Sequence, residues 1–253
     1  MEVLAGDSDF VAEVKENQCT FKFDFSKVYW NPRLCTEHER IVKLLPERAV
    51  LFDVFAGVGP FSVPAAKIRK CRVFANDLNP QSYHWLQENV RINKVQTVET
   101  FNKDGREFIG KELREFLSAA PKDSIHVTMN LPALAVEFLD AFPGLLAGEP
   151  KRKEEAQDDK LAVVNEPEGE GQALNLTVHV YGFFEESSAF AAMRSKVESI
   201  LHCHLDDKDI VEIMDVRDVA PKKHMLRMSF RMPWRVLVAD PDAADRKKMK
   251  LDP

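Results

Sequence analysis

Two hydrophobic periodicities alternate along the chain and predict strands followed by helices. Short apolar runs rich in valine, isoleucine and phenylalanine predict strands, and segments with apolar residues three or four apart predict amphipathic helices. The strand runs are residues 50–55, 71–77, 97–101, 125–130, 174–183, 210–216 and 225–232. The helical segments are residues 36–45, 61–68, 79–93, 110–119, 134–146 and 187–203. This alternation predicts an α/β fold with a Rossmann-like, mostly parallel and doubly wound sheet.

The residues before the first helix have a different pattern. Residues 1 to about 17 are expected to be loosely ordered, whereas residues 20–25 alternate apolar and polar side chains and predict a half-buried strand. Thr36 followed by Glu39 fits a capping box, which predicts that a helix begins at Thr36. The pattern therefore predicts a short β-containing extension in front of the main sheet.

Composition divides the chain further. The chain has 253 residues, 45% of them hydrophobic, which is enough for one large domain with a sizeable core. Residues 148–171 carry eight acidic against four basic side chains, so we expect a disordered acidic insert there. The polar residues 240–253 are expected to form a flexible tail. The predicted divisions are an N-terminal region of residues 1–35, a main domain of residues 36–239 that contains the insert, and the tail.

Charge and cysteine content limit the classes of function. The formal net charge is −6, and basic residues cluster at 222–231 and 246–250, so phosphate contacts remain compatible with the sequence. For any single basic cluster, however, solvated surface is the favoured explanation. No apolar run approaches the roughly 20 residues of a membrane-spanning helix. The four cysteines lack paired spacing, and the segment from His202 to His204 is too short for its residues to face one another on a helix, so we expect no metal site.

Candidate chemistry lies at the carboxyl ends of the predicted strands, where open α/β sheets bind their ligands. Gly57 and Gly59 follow the first main strand in a turn that lets a ligand approach the backbone. Asp77 ends the next strand, at a spacing that suits hydrogen bonds to ribose hydroxyls, and Asp104 follows the third strand. The alternative is structural, with the glycines as turn residues and Asp77 as a helix cap.

The composition of the glycine loop distinguishes between nucleotide ligands. A dinucleotide fingerprint requires a third glycine where this chain has Ser62, and Pro60 lacks a backbone N–H that a pyrophosphate could use. The loop therefore favours a nucleoside ligand without phosphates, and S-adenosylmethionine has that chemistry. Asn130 and Pro132 follow the fourth main strand, where the asparagine amide offers a donor and an acceptor to the edge of a nucleobase. A strand-end turn is the alternative interpretation.

Several motifs together resemble the archaeal and eukaryotic tRNA (guanine-N1)-methyltransferases. They are KVYWNPRL at 27–34, TEHER at 36–40, FDVFAGVGPF at 52–61, NDLNP at 76–80 and MNLP at 129–132. The likeness runs from about residue 13 to residue 233 and is broken by the acidic insert. It implies a class I methyltransferase fold with S-adenosylmethionine as cofactor. It also implies methyl transfer to N1 of the guanosine immediately 3′ of the anticodon, with the tRNA anticodon loop as partner.

The resemblance also implies roles for individual residues. Glu37 would be the general base that takes the proton from guanine N1, with Glu39 as the competing carboxylate and helix-dipole stabilisation as the structural alternative. Asn130 would hold the guanine, and Arg33 or Arg40 would contact a phosphate or the charge that develops on O6. Methyl transfer needs positioning and no metal. The residues expected to bind the cofactor are Tyr29, Phe55, Gly57, Gly59, Asp77, Asn79, Asp104, Asn130 and Pro132.

The chain departs from these relatives at its N-terminus. Relatives have a further N-terminal portion that helps to grip tRNA, of which little fits before Glu13, and Lys15 stands where relatives can carry an arginine near the target base. Two other functions stay open: the aminocarboxypropyl transfer of wybutosine synthesis, and a non-catalytic RNA- or protein-binding module. No pattern indicates a dimer seam, so we expect a monomer. The expected location is the cytoplasm, with the mitochondrial matrix and nucleus implied by the resemblance.

Overall fold

The computed structural model describes residues 6, 9–119, 121–148, 174–185 and 189–240. The predicted acidic insert beyond residue 148 and the predicted tail beyond residue 240 lie outside the described residues, so both stay predictions. Within the described residues, no helix is long and apolar enough to cross a membrane.

The N-terminal extension forms an antiparallel hairpin of two strands, β1 Val11–Glu16 and β2 Cys19–Asp24. The strand predicted at residues 20–25 is therefore confirmed, and its apolar residues Phe21 and Phe23 are fully buried. The expectation of a loosely ordered start is wrong for β1, because its backbone pairs with β2 along the whole strand.

Seven strands form the main sheet. They are β3 Val50–Asp53, β4 Arg72–Asn76, β5 Val98–Phe101, β6 Ile125–Met129, β7 Leu176–Glu185, β8 Ile210–Ala220 and β9 Lys223–Arg231. The strand order is β5-β4-β3-β6-β7-β9-β8, in which β9 is antiparallel to both neighbours and the other pairs are parallel. Every residue of β3 and β6 is buried, as expected of central parallel strands covered on both faces. The predicted mostly parallel, doubly wound sheet is confirmed.

Helices pack against the sheet through two separate apolar clusters. The helices are α1 Cys35–Leu44, α2 Ser62–Arg69, α3 Pro80–Ile92, α4 Gly105–Phe108, α5 Arg114–Ser118, α6 Ala189–Leu201 and α7 Trp234–Leu237. Because side chains alternate along a strand, Val50 and Phe52 of β3 join one cluster while Leu51 joins the other. The core therefore lies in two layers, one on each face of the sheet.

Helix α3 fixes the hairpin to the main domain. Asn79 caps the helix by accepting the N–H of Gln81 at 3.0 Å, and Pro80 occupies its first position. Farther along, Asn89 Oδ1 accepts the backbone N–H of Lys22 at 2.8 Å. A side chain thus satisfies an edge of β2 that would otherwise be open to another strand.

The predicted capping box before α1 is wrong. The helix follows a short 3₁₀ turn, Pro32–Leu34, in which Asn31 Oδ1 accepts the N–H of Arg33 at 3.1 Å. Thr36 consequently lies inside α1, and the Glu39 carboxylate pairs with Lys43 at 2.8 Å instead of reaching back to a cap.

Two predicted helices differ from the structure. The helix expected at 110–119 begins earlier, at Gly105, and passes through a π-helical turn, Ile109–Leu113, between α4 and α5. The helix expected at 134–146 is wrong, because the segment forms turns around a short 3₁₀ helix, Glu137–Ala141. Its N–H groups bond three residues back, for example Leu139 to Val136 at 3.2 Å. Such turns bury its apolar side chains without a full helix.

Candidate active site

A cavity of about 440 Å³ opens at the carboxyl ends of β3, β4 and β6. The loops that follow these three strands form one wall, and the segment before α1, α1 itself and the ends of β7, β8 and β9 form the other. The strands converge here because their parallel order brings their carboxyl ends to one edge. This is the edge of the sheet at which the sequence pattern predicted the ligand-binding residues.

Two glycines, Gly57 and Gly59, shape the loop after β3, but only Gly57 lies at the cavity. Both have positive φ angles, +57° at Gly57 and +95° at Gly59. Gly57 lines the cavity, whereas Gly59 does not. A Cβ at Gly59 would lie 2.8 Å from Leu86 and 2.9 Å from Val63. Gly59 therefore permits the loop to pack against α2 and α3, and its position gives no support to a contact with a ligand.

Asp77 joins the loops after β3 and β4. Its Oδ2 accepts the N–H of Gly57 at 2.8 Å, and its Oδ1 accepts the N–H of Asn79 at 2.9 Å. Burial raises the pKa of Asp77, and hydrogen bonds from Asn79, Gly57 and Ser82 oppose that rise. Asp77 and Asn79 both line the cavity. Asn79, not Asp77, caps α3, so the structural alternative for Asp77 does not hold in that form.

Phe55 and Asp104 occupy different environments. Phe55 lines the cavity and packs edge to face on Phe138, with ring centroids 5.0 Å apart. Asp104 caps α4 by accepting the N–H of Arg106 at 2.8 Å and does not line the cavity. A contact between Asp104 and a ligand stays a prediction.

Asn130 follows β6 directly and lines the cavity with Leu131 and Pro132. The turn is pinned because the carbonyl of Pro132 accepts the N–H of Phe183 at 3.2 Å. Asn130 Oδ1 is buried and has no hydrogen-bond partner among the described residues. A buried acceptor without a donor costs about 1–3 kcal/mol. A ligand that presents an N–H or O–H group at this point of the cavity would satisfy this oxygen.

Glu37 lies behind the cavity wall and is held by three donors. Its carboxylate is 2% exposed and does not line the cavity, although its neighbour His38 does. Oε1 accepts the hydroxyl of Tyr181 at 2.8 Å and Nε of Arg227 at 2.7 Å. Oε2 accepts Nη1 of Arg40 at 2.6 Å. Burial raises the pKa of Tyr181 well above its ordinary value, so its hydroxyl stays a donor at neutral pH.

The other residues implied by the family resemblance lie near the mouth or at the surface. Tyr29 is 74% exposed, lines the cavity and accepts Nδ2 of Asn31 on its hydroxyl at 3.1 Å. Arg33 is exposed and does not line the cavity. The competing carboxylate, Glu39, is also exposed and paired with Lys43.

Sequence reasoning missed several polar residues that line the cavity, among them Asn31, His38, Ser82 and Arg217. His38 Nδ1 lies 2.6 Å from Glu16 Oε1, an interaction that joins the hairpin to α1. Arg217 donates from Nε to the carbonyl of Asp218 at 3.2 Å. The position of His38 beside Glu37 was a usable signal, but nothing in the sequence indicates that β8 reaches the cavity.

A series of buried, hydrogen-bonded polar side chains runs across the sheet and ends at Arg227, which binds Glu37. The rings of His126 and His179 are hydrogen-bonded at 3.0 Å, and His179 Nδ1 lies 2.8 Å from Ser229 Oγ. Ser229 in turn accepts a hydrogen bond from Arg227. Burial lowers the pKa of His126 to about 4 and that of His179 well below its ordinary value. Both imidazoles are therefore neutral at pH 7 and act as hydrogen-bonding groups without charge.

The basic cluster predicted at 222–231 is only partly a surface feature. The prediction that Arg227 belongs to a basic surface is wrong. Its side chain is fully buried and forms ion pairs with Glu37 at 2.7 Å and with Glu212 at 2.8 Å. Lys222 and Lys223 are exposed. Lys15 lines a separate open groove next to α3, so it does not reach the cavity.

The strand order, with β9 antiparallel between β7 and β8, and the cavity at the carboxyl ends of β3, β4 and β6 define a class I methyltransferase fold. Residues 12–148 match the model of the TRM5/TYW2 methyltransferase domain. The chain belongs to this family.

Comparison with individual proteins agrees with the family. The chain is 49% identical over 250 residues to a protein of Drosophila pseudoobscura pseudoobscura named tRNA (guanine(37)-N(1))-methyltransferase, covering 96% of the chain and 53% of that protein. It is similar to the wild-type Trm5b structure of Pyrococcus abyssi, with 28% identity and a TM-score of 0.65, and the match covers 90% of this chain and 57% of that one. It is also similar to Methanocaldococcus jannaschii Trm5 in complex with adenosine, with 26% identity and a TM-score of 0.64, and this match covers 91% of this chain and 57% of that one. The chain spans about half the length of the curated relatives it matches.

Proposed function

We propose that this domain transfers a methyl group from S-adenosylmethionine to N1 of guanosine 37 in tRNA. The observation that carries the proposal is the unpaired, buried Oδ1 of Asn130 in the cavity of a TRM5/TYW2 methyltransferase domain. The name of the Drosophila relative supports the substrate and the position of the modified base.

The cavity has the features that a nucleoside cofactor needs. Gly57 lines it with no atom within 4 Å of the site where a Cβ would stand, so a ligand can approach the backbone. Asp77 offers carboxylate oxygens at the end of β4, where ribose hydroxyls are bound in folds of this type. Phe55 and Pro132 add apolar surface for an adenine ring. The adenosine bound to a similar solved structure supports this assignment. When bound, S-adenosylmethionine supplies an activated methyl group on a sulfonium.

Asn130 suits the Watson–Crick edge of guanine. That edge presents N–H donors at N1 and N2, and Asn130 Oδ1 is an acceptor without a protein donor. Because Oδ1 has no protein donor, its acceptor capacity is available to guanine. By accepting the N2–H group, Asn130 would hold guanine while N1 faces the methyl group and the base.

Glu37 is the general base in this proposal. Guanine N1 carries a proton, and its lone pair becomes available for attack when a carboxylate removes that proton. Glu37 is buried and does not line the cavity, so the proposed step requires its Oε2 to become accessible from the cavity when tRNA binds. Arg40 must release Oε2 for this to happen, and a tRNA phosphate is a suitable alternative partner for its guanidinium.

The partner is the tRNA anticodon loop, approached through the mouth of the cavity. Tyr29 is exposed there and can stack on a base. The cations on this side of the molecule, Arg33, Arg40 and Arg217, are suited to phosphate contacts. We propose that one copy of the chain is sufficient for this arrangement.

Substitution of Glu37, the proposed general base, tests the proposal. Glu37→Gln keeps the shape of the side chain but cannot accept a proton, so methyl transfer should fall by about 10²- to 10⁴-fold. The affinity for S-adenosylmethionine, measured by calorimetry, should stay within about two-fold. Glu39→Gln is the matched control on the same helix, and loss of activity in Glu39→Gln alone would move the role of base to Glu39.

A further inference from the structure

The three donors around Glu37 fall into two groups that differ in burial. Oε1 takes both of its hydrogen bonds from fully buried side chains, Tyr181 on β7 and Arg227 on β9. Among the described residues, Oε2 accepts one hydrogen bond, 2.6 Å long, from Nη1 of Arg40, whose side chain is 37% exposed. One oxygen is therefore held by the sheet, and the other is held by a group that water and ligands can reach.

The sheet holds Oε1 rigidly because its two donors are themselves fixed. Residues Tyr181 and Arg227 stand opposite each other in the β7–β9 ladder. Arg227 makes further bonds to Ser229 and to Glu212. Rotation of either donor would leave buried polar groups without partners, which costs about 1–3 kcal/mol for each group.

The charge on Arg227 stays compensated when Glu37 becomes neutral. Glu212 lies 2.8 Å from Nη2 of Arg227 and provides a second carboxylate for the same guanidinium. Without Glu212, protonation of Glu37 would leave a buried, unpaired cation, which is strongly unfavourable. Arg227 therefore keeps a carboxylate partner whether or not Glu37 carries the proton of the substrate.

We propose that Tyr181 and Arg227 are positioning residues that fix Oε1 of Glu37 so that Oε2 receives the proton of guanine N1. This inference rests on the proposed function of Glu37 as base. In the step, the N1–H bond breaks and the proton joins Oε2. The N1 electron pair forms the bond to the methyl carbon, and the electrons of the carbon–sulfur bond stay on sulfur. Glu37 and sulfur both end neutral, so the charges balance.

A double-mutant cycle tests this role in the full chain. Tyr181→Phe removes one donor to Oε1 and keeps the ring in the core, so the single-turnover rate of methyl transfer should fall by about 10- to 100-fold. In the Glu37→Gln background the same substitution should change the rate less than about two-fold, because its effect acts through Glu37. The affinity for S-adenosylmethionine should be unchanged. Tyr83→Phe, on α3 and outside the cavity, is the matched control and should behave as wild type.

Arg227→Lys provides a second variant. Lysine keeps the charge, but its N–H donors lie on one nitrogen, so it cannot reproduce the planar fork whose three nitrogens reach Glu37, Ser229 and Glu212. Its rate should fall at least as far as that of Tyr181→Phe, again only when Glu37 is present. Should Arg227→Lys fail to fold, the cycle with Tyr181→Phe still decides the question.

The outcomes separate the two proposals. An equal loss from Tyr181→Phe with and without Glu37 would show a general structural role and overturn the positioning role. A wild-type rate in Tyr181→Phe, together with a large loss in Glu37→Gln, would overturn positioning alone. A wild-type rate in Glu37→Gln would overturn the base assignment and the positioning role together.

Discussion

Asp77→Asn is the substitution for which the structure predicts the clearest loss of cofactor binding. The two carboxylate oxygens of Asp77 accept the N–H groups of Gly57 and Asn79 at 2.8 and 2.9 Å. An asparagine has one acceptor oxygen and one NH₂ group, so one of these N–H groups must face another donor. The substitution therefore disturbs the loop after β3 or the start of α3 while leaving the side chain nearly the same size.

The magnitude follows from the type of bond that is lost. A hydrogen bond to a charged group contributes about 1.5–3 kcal/mol. The proposed bond from a ribose hydroxyl to the Asp77 carboxylate is of this type, and its loss should raise the Kd for S-adenosylmethionine by about 10- to 100-fold, since each 1.4 kcal/mol is a factor of ten. The disturbed loop after β3 acts in the same direction, so the upper part of this range is expected.

Isothermal calorimetry with S-adenosylmethionine measures this effect directly. Asp207→Asn is the matched control, because Asp207 is exposed, pairs with Arg194 and lies outside the cavity. The control should bind with wild-type affinity. A wild-type Kd for Asp77→Asn, with the fold retained, would refute the assignment of this edge of the sheet as the cofactor site.

Two further predictions concern stability. Gly59→Ala should lower the free energy of unfolding by about 2–4 kcal/mol because its φ is positive and its Cβ would meet Leu86 at 2.8 Å. Gly57→Ala, with open space around the added Cβ, should cost about 1–2 kcal/mol, and equal urea midpoints for the two variants would contradict this difference. The pKa of His126, lowered to about 4 from an ordinary 6.5, means that the unfolded chain binds its proton first, so stability should fall as pH drops from about 6.5 towards 4. The raised pKa of Asp53, about 6, opposes this trend below pH 6. Because His126→Gln removes the imidazole, the variant should show a smaller fall in the urea midpoint between pH 7 and pH 5 than the wild type. An unchanged dependence of the midpoint on pH would contradict the assignment to His126.

Sequence patterns predicted the sheet well because each strand is a short apolar run between breakers. The run at 50–55 predicts β3. Its side chains point alternately to the two faces of the sheet, so Val50 and Phe52 pack in one apolar layer and Leu51 packs in the other. The segment 134–146 was predicted wrongly because apolar spacing alone does not distinguish turns that bond three residues back from a full helix. Pro143 and Gly144 were the available signals that the segment could not continue as a helix.

The site was best predicted where its residues are close in sequence to the end of a strand. Gly57, Asp77 and Asn130 follow β3, β4 and β6, and all three line the cavity. The surroundings of Glu37 were not predictable, because Tyr181 and Arg227 are brought to it by the pairing of β7 with β9. A local charge pattern even suggested that Arg227 was a surface cation.

The central claim is tested most directly by incubating the chain with unmodified tRNA and S-adenosylmethionine and mapping the product by mass spectrometry. The account predicts a single methyl group on N1 of guanosine 37, and no product on a transcript with adenosine at that position. An aminocarboxypropyl group at that position, a methyl group on another base, or cofactor binding without any product would contradict it.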